Sequence, residues 1–81
     1  MSFINILLIK DGELLNMQAK TDMIFAELVF KFCLKFNINQ EREKPIFIYN
    51  SDDIEPDTFQ TLDELGIYNG SRIEVIIGSD I

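Results

Sequence analysis

One stretch of the chain, Thr21–Ile38 (TDMIFAELVFKFCLKFNI), has the periodicity of a long helix. Its apolar residues recur three and four positions apart, which places them along one side of a helix. They are Phe25, Leu28, Val29, Phe32, Cys33 and Phe36. Thr21 or Asp22 is predicted to cap the first turn, and Asn37 is predicted to end the helix in the left-handed conformation. An apolar stripe requires a second surface to bury it, and the rest of the chain is typical of strands.

Strand patterns lie on both sides of this helix. Ser2–Lys10 and Leu14–Lys20 are predicted to form a hairpin around Asp11-Gly12, a dipeptide that tight turns favour. A third strand is predicted at Ile46–Tyr49 and a last one at Arg72–Ile77. Apolar and polar residues alternate along these strands, so one face of the sheet is predicted to cover the helix.

The connections carry turn signals. Asn39–Lys44 is predicted to be a polar connection, and Asn50–Asp57 an acidic loop rich in turn residues. Thr61–Leu65 is predicted to form a short helical turn, and Gly78–Ile81 is expected to fray. With the last strand placed beside the first by a crossover, the order ββαβ, short helix, β predicts a β-grasp. We therefore predict one α+β domain over residues 1–81, a mixed sheet over one helix, with its core in roughly residues 3–77.

The composition excludes several classes of chemistry. The chain has no histidine, so it contains neither a Ser-His-Asp triad nor a Cys-His pair. Cys33, the one cysteine, lies on the apolar stripe and is predicted to be a buried, reduced thiol. The acidic sequence SDDIEPD lacks the spacing and the glycine of an EF-hand loop. We expect a protein that is not an enzyme and that needs no metal or cofactor.

The charge is unevenly distributed. Residues 1–40 carry four lysines and four acidic residues, whereas residues 41–81 carry three basic and ten acidic residues, so the net charge of −7 arises in the second half. An acidic surface repels phosphate groups, which argues against nucleic acid and membranes as partners. The apolar runs are strand-length and no signal peptide is evident, so we expect an intracellular, cytoplasmic or nuclear location.

Residues 61–77, TLDELGIYNGSRIEVII, resemble the C-terminal segment of ubiquitin-like domains. Other landmarks of that family fall in the same order: the Asp11-Gly12 hairpin, the helix end at Asn37, and Phe47-Ile48-Tyr49 in the third strand. The resemblance spans roughly Ile4–Ile77 and implies the β-grasp fold already indicated by the pattern. A finer resemblance, to SUMO, is carried by Phe32-Cys33 and by DELGI and RIEVI.

The resemblance implies function by surface recognition. Conjugated modifiers of this family end in Gly-Gly, whereas this sequence ends Ile77-Gly78-Ser79-Asp80-Ile81. We therefore expect a non-conjugated interaction module, one domain of a larger protein, whose partner is a ubiquitin- or SUMO-pathway receptor or another part of the same protein. The alternative is a ubiquitin- or SUMO-type modifier that lacks its Gly-Gly.

Two apolar surfaces are predicted to bind that partner. The first is the open face of the sheet, where Ile48 and Ile76 match the third-strand isoleucine and last-strand valine of the ubiquitin recognition patch. Glu74 stands where ubiquitin has histidine, and Leu7 or Ile9 is expected beside the patch. The second is the back of the helix, for a partner or for self-association; a helical wheel places Met23, Phe30 and Leu34 opposite the core stripe.

Two weaker resemblances point elsewhere. The groove in which SUMO accepts an extended strand corresponds to Met17, Leu28, Phe32 and Lys35, and core packing of the three apolar residues is the favoured interpretation. The acidic loop resembles that of PB1 domains, which pair with a basic patch. Such a patch is not evident in residues 1–40.

Overall fold

A computed structural model describes residues 3–78 of the chain. The C-terminal end, Gly78–Ile81, is predicted to fray. Residues 79–81 lie outside the described residues. The described elements are five strands and two helices in the following order: β1 Phe3–Lys10, β2 Glu13–Lys20, α1 Phe25–Lys35, α2 Gln40–Glu43, β3 Pro45–Tyr49, β4 Asp52–Ile54 and β5 Arg72–Ile77.

The strands form one mixed sheet in the order β2-β1-β5-β3-β4. β5 lies parallel to β1, and the other neighbouring pairs are antiparallel. The prediction that the last strand lies beside the first is therefore confirmed. This arrangement, with α1 packed on one face, is the predicted α+β β-grasp.

The core lies between α1 and the inner face of the sheet. The predicted alternation is confirmed in β1, where Ile4, Ile6 and Leu8 are buried. The helix stripe is buried from Phe25 to Cys33, while Phe36 is only half-buried at the end of the stripe. The rings of Phe25 and Phe47 meet edge to face, with their centroids 5.5 Å apart. The ring of Phe32 also meets that of Phe47 edge to face, with centroids 6.0 Å apart. This aromatic cluster links the helix to β3.

The helix begins four residues later than predicted, and the predicted cap by Thr21 or Asp22 is wrong. Ile24 precedes the first turn in an extended conformation and offers no side-chain cap. The first amide groups donate instead to a distant segment: Phe25 N–H to the carbonyl of Gln60 at 2.9 Å, and Ala26 N–H to that of Thr58 at 3.3 Å. Tertiary contacts therefore satisfy donors that a local cap satisfies in other helices.

The C-terminal end of α1 follows the prediction. Asn37 has a φ of 58°, and the amide of Ile38 donates to the carbonyl of Cys33 at 2.8 Å. Ile38 is buried, so it supplies the apolar contact that accompanies such a cap. Within residues 3–78, no helix is long and apolar enough to cross a membrane.

Two short elements were not predicted. The connection after Ile38 contains α2, whose first turn is held by Asn39 Oδ1 accepting from Arg42 N–H at 3.0 Å and by Glu43 Oε2 accepting from Asn39 N–H at 2.8 Å. The acidic loop contains β4, which pairs with β3 and forms an edge of the sheet. The sheet therefore has five strands rather than the four predicted.

Candidate partner-binding surfaces

The outer face of the sheet, opposite α1, carries one continuous row of side chains that crosses all five strands. Glu74 on β5 lies between Ile9 on β1 and Ile48 on β3. The row continues outward to Leu14, which pairs with Ile9, and to Asp53, which pairs with Ile48. Register therefore places an acidic residue between two isoleucines in the middle of the sheet.

Two neighbouring rows extend this outer face. Leu7 lies opposite Arg72, and Ile46 lies opposite Ile76. Ile76 is 37% exposed, while Leu7, Ile46 and Ile48 are half-buried. The predicted residues Leu7, Ile48, Glu74 and Ile76 thus share one surface, which we call the outer sheet patch; Ile9, Ile46 and Arg72 complete it.

A shallow depression of about 330 Å³ lies beside Ile76 on this patch. It is lined by Ile9 and Glu74 and by the turn residues Asp11 and Gly12. Glu74 and Arg72 are both exposed. Within residues 3–78, the one ion pair is Lys10–Asp11, with Nζ and Oδ2 3.1 Å apart, so the charges of Arg72 and Glu74 are not neutralised by a described neighbour.

The back of α1 differs in part from the prediction. Phe30 and Leu34 are 59% and 67% exposed, as the helical wheel indicates. Met23 does not join them, which corrects the prediction for that residue. It precedes the helix and packs, half-buried, against the core, because α1 starts only at Phe25. The helix-back pair therefore consists of Phe30 and Leu34, beside a shallow hollow that Ile38 and Glu41 also line.

The residues that match the strand-binding groove of SUMO are largely interior. Met17, Leu28 and Phe32 are buried in the core, which confirms the packing interpretation of these three residues. A separate groove between β2 and α1 is lined by other side chains, among them Lys20, Met23 and Lys31. Its basic residues alternate with Asp22 and Glu27, so it presents no uniform charge.

Cys33 is a free, buried thiol, as predicted from its place on the helix stripe. Burial, and then the negative charge of Glu43, raise the pKa of this thiol above its ordinary value of 9.0. Both effects oppose the thiolate form, so the structure gives no sign of an activated nucleophile at this position. Among residues 3–78, no group of three or more acidic or cysteine side chains is arranged to hold a metal ion.

The sequence interpretation missed two members of the outer face. Ile46 lies two residues before Ile48 on the same strand, so strict alternation was sufficient to find it. Leu14, 60% exposed, also lies on this face by alternation, and the hairpin register places it beside Ile9. Further large exposed apolar side chains are Phe3, Phe59 and Tyr68.

Comparison with solved structures defines the class of fold. An Arabidopsis thaliana ubiquitin-like domain superposes with a TM-score of 0.82 at 18% identity, over 95% of this chain and 79% of that one. Ubiquitin from Caldiarchaeum subterraneum gives 0.79 at 15% identity, over 94% of both chains. The chain therefore has the ubiquitin-like β-grasp fold, as the sequence resemblance predicted.

A third similar structure is the ubiquitin-like domain of yeast Ddi1, with a TM-score of 0.78 at 17% identity over 90% of this chain and 86% of that one. No family model and no curated protein matches the sequence. Because these likenesses show the fold alone, the finer resemblance to SUMO stays a prediction.

Proposed function

We propose that this ubiquitin-like chain is a protein–protein interaction module that recruits its partner through the outer sheet patch. The observation that carries the proposal is the register that brings Ile9, Ile48 and Ile76 together around Glu74 on three neighbouring strands. Apolar side chains with a polar surround are the usual anatomy of a recognition surface. Ile48 and Ile76 of this patch are also the residues at which the sequence resembles the ubiquitin recognition patch.

The fold comparison supports a modular role. Two of the similar structures are domains described by the name of the protein that contains them, one from Arabidopsis thaliana and one from yeast Ddi1. We propose that this chain likewise serves as one domain of a larger protein. Its partner is then a protein, and the net charge of −7 favours one with a basic contact surface.

A capture experiment tests this proposal. The chain is immobilised, and proteins retained from a cell extract are compared among wild type, Ile48→Asp, Ile76→Asp and Phe30→Asp. We expect a partner that wild type and Phe30→Asp retain and that both sheet variants lose, because only the latter place a charge in the patch. A partner retained by both sheet variants contradicts the proposal. Dispersed amide spectra of all four proteins serve as the control for folding.

The helix-back pair supports a second contact. Phe30 and Leu34 are large apolar side chains that are more than half exposed, one helical turn apart on the same side of α1. Self-association through this pair predicts that the apparent mass in sedimentation rises with concentration and that Phe30→Asp abolishes the rise. A wild-type chain that remains monomeric at high concentration contradicts self-association and leaves the outer sheet patch as the contact surface.

The alternative function, a protein modifier, uses a different part of the chain from an interaction module. A modifier is activated at its C-terminal carboxylate, whereas an interaction module uses only its folded surface. Incubation with ATP and a ubiquitin- or SUMO-activating enzyme is expected to yield no thioester. Formation of a thioester contradicts the module.

A further inference from the structure

The two edges of the sheet differ in how well they are protected against pairing with another chain. β4, at one edge, has three residues, of which Asp52 and Asp53 are acidic and exposed. β2, at the other edge, has eight residues that all pair with β1 without a bulge. Short strands, charges, prolines and bulges protect the edges of natural sheets. β4 has the first two of these protections, whereas β2 is long and carries charges only at its ends, Glu13 and Lys20.

The hairpin determines which backbone groups of β2 point away from the sheet. Both turn residues, Asp11 and Gly12, have positive φ, which is typical of a two-residue turn that closes on a hydrogen-bonded pair. Hydrogen-bonded and non-bonded pairs alternate along an antiparallel ladder, so every second residue of β2 directs its N–H and C=O outward. These residues are Leu14, Asn16, Gln18 and Lys20, and all four are exposed. No described backbone group outside the sheet bonds to the first three.

A second copy of the chain fits this edge by symmetry. Two copies joined along β2 by a two-fold axis perpendicular to the sheet have antiparallel facing strands, and each residue lies opposite one from the same face. With Met17 on the axis, Asn16 of one copy lies opposite Gln18 of the other. The outward backbone groups of both residues then meet, so this register forms hydrogen bonds at the centre of the contact.

The side chains that this register brings together are compatible. On the outer face, the amide side chains of Asn16 and Gln18 meet. Leu14, 60% exposed in the single chain, packs beside the aliphatic stem of Lys20, whose ammonium lies 5.5 Å from the centroid of the Phe3 ring. On the inner face, Leu15 lies opposite Ala19. No like charges lie opposite each other, and residues 1–40, to which β2 belongs, carry no net charge.

We propose that two copies of the chain pair along β2, antiparallel and with Met17 at the two-fold axis, and form one continuous sheet of ten strands. This contact is separate from the helix-back pair and goes beyond the proposed function. The axis keeps both outer sheet patches on the same face of the joined sheet. Their β5 strands are five strand spacings apart, about 24 Å, so a partner with two binding segments contacts both copies at once.

Sedimentation equilibrium of the full chain tests the proposal together with amide hydrogen exchange. The apparent mass of wild type is expected to rise with concentration from 9.4 kDa toward twice that value. Over the same range, exchange of the Asn16 and Gln18 amides is expected to slow, because both become hydrogen-bonded in the dimer. The amide of Phe30 serves as the control, since α1 is the same in the monomer and the dimer.

Two double variants at the same exposed positions test the register. Asn16→Lys/Gln18→Lys sets lysine opposite lysine at two places across the axis and is expected to weaken dimerisation at least about tenfold. Asn16→Glu/Gln18→Lys sets opposite charges against each other at both places and is expected to dimerise at least as tightly as wild type. Dispersed amide spectra of both variants serve as the control for folding. If either fails to fold, the exchange measurement on wild type decides the proposal.

Three results overturn the inference. The first is a wild-type chain that stays monomeric at millimolar concentration. The second is equal weakening by both double variants, which contradicts the register. The third is a rise in mass that Phe30→Asp abolishes and that the double variants leave unchanged, because it assigns the contact to the helix-back pair. The capture experiment decides the proposed function separately, since its variants alter the outer sheet patch and not β2.

Discussion

The outer sheet patch and the helix-back pair both expose apolar side chains, and they differ in their surroundings. On the patch, isoleucines from three neighbouring strands surround Glu74, and Arg72 lies on the same face. On the helix, Phe30 and Leu34 project singly, 59% and 67% exposed. The apolar side chains on the helix are therefore more exposed, whereas those on the sheet have charged residues at fixed positions among them.

This difference shows why exposed apolar area alone does not define a recognition surface. An isolated pair of apolar side chains offers contact area but little to discriminate one partner from another. A patch with fixed charges rejects partners that place like charges against it, and that rejection is a source of specificity. We therefore propose the sheet, rather than the helix back, as the surface of partner recognition.

The largest expected effect is the difference in the free energy of unfolding between substitutions on the buried and the exposed side of α1. Phe32→Ala removes a fully buried ring from the aromatic cluster and is expected to lower the free energy of unfolding by about 3–5 kcal/mol. Phe30→Ala, two residues away and exposed, is expected to change it by less than about 0.5 kcal/mol. Urea unfolding measures both. Equal losses from the two variants contradict the assignment of Phe30 to the surface.

Met23→Asp tests the corrected boundary between core and helix back. Because Met23 packs half-buried against the core, a carboxylate there is expected to reduce stability by about 1–3 kcal/mol. Phe30→Asp is the matched control and is expected to cost less than about 1 kcal/mol, mainly through helix propensity. If Met23→Asp is as mild as its control, Met23 returns to the exposed surface on which the helical wheel placed it.

Cys33 gives a smaller, pH-dependent effect on the buried side of α1. Its pKa in the folded chain lies above 9.0, chiefly through burial, whereas the unfolded thiol ionises near that value. As pH rises past 9.0, the unfolded state therefore loses this proton first, and the free energy of unfolding falls. We expect a steeper alkaline loss of stability in wild type than in Cys33→Ala. Parallel curves for the two proteins contradict a buried thiol.

Much of the fold follows from local patterns. Alternation in β1 and β5 identifies the inner face, and the helix stripe identifies what covers it. The start of α1 could not be predicted from local patterns, because the amides of Phe25 and Ala26 donate to a segment more than 30 residues away. β4 did not follow either, since three residues, two of them acidic, carry no apolar alternation.

The candidate site, like the fold, could be predicted from local patterns only in part. Ile48, Glu74 and Ile76 were placed on one face by strand alternation, which is a local property. The contact of Glu74 with Ile9 on one side and Ile48 on the other depends on register between strands distant in sequence. Met23 was misplaced because the helical wheel assumed a helix from Thr21, and a wheel is valid only where the chain is helical.

The measurement that tests the account most directly is Ile76→Asp, followed for both stability and partner capture. Ile76 lies on the outer face beside a buried Val75, so the account predicts a folded protein within about 1 kcal/mol of wild type that no longer retains its partner. Phe30→Asp should retain that partner. A folded Ile76→Asp that captures the partner as well as wild type contradicts the account, and so does a variant that fails to fold.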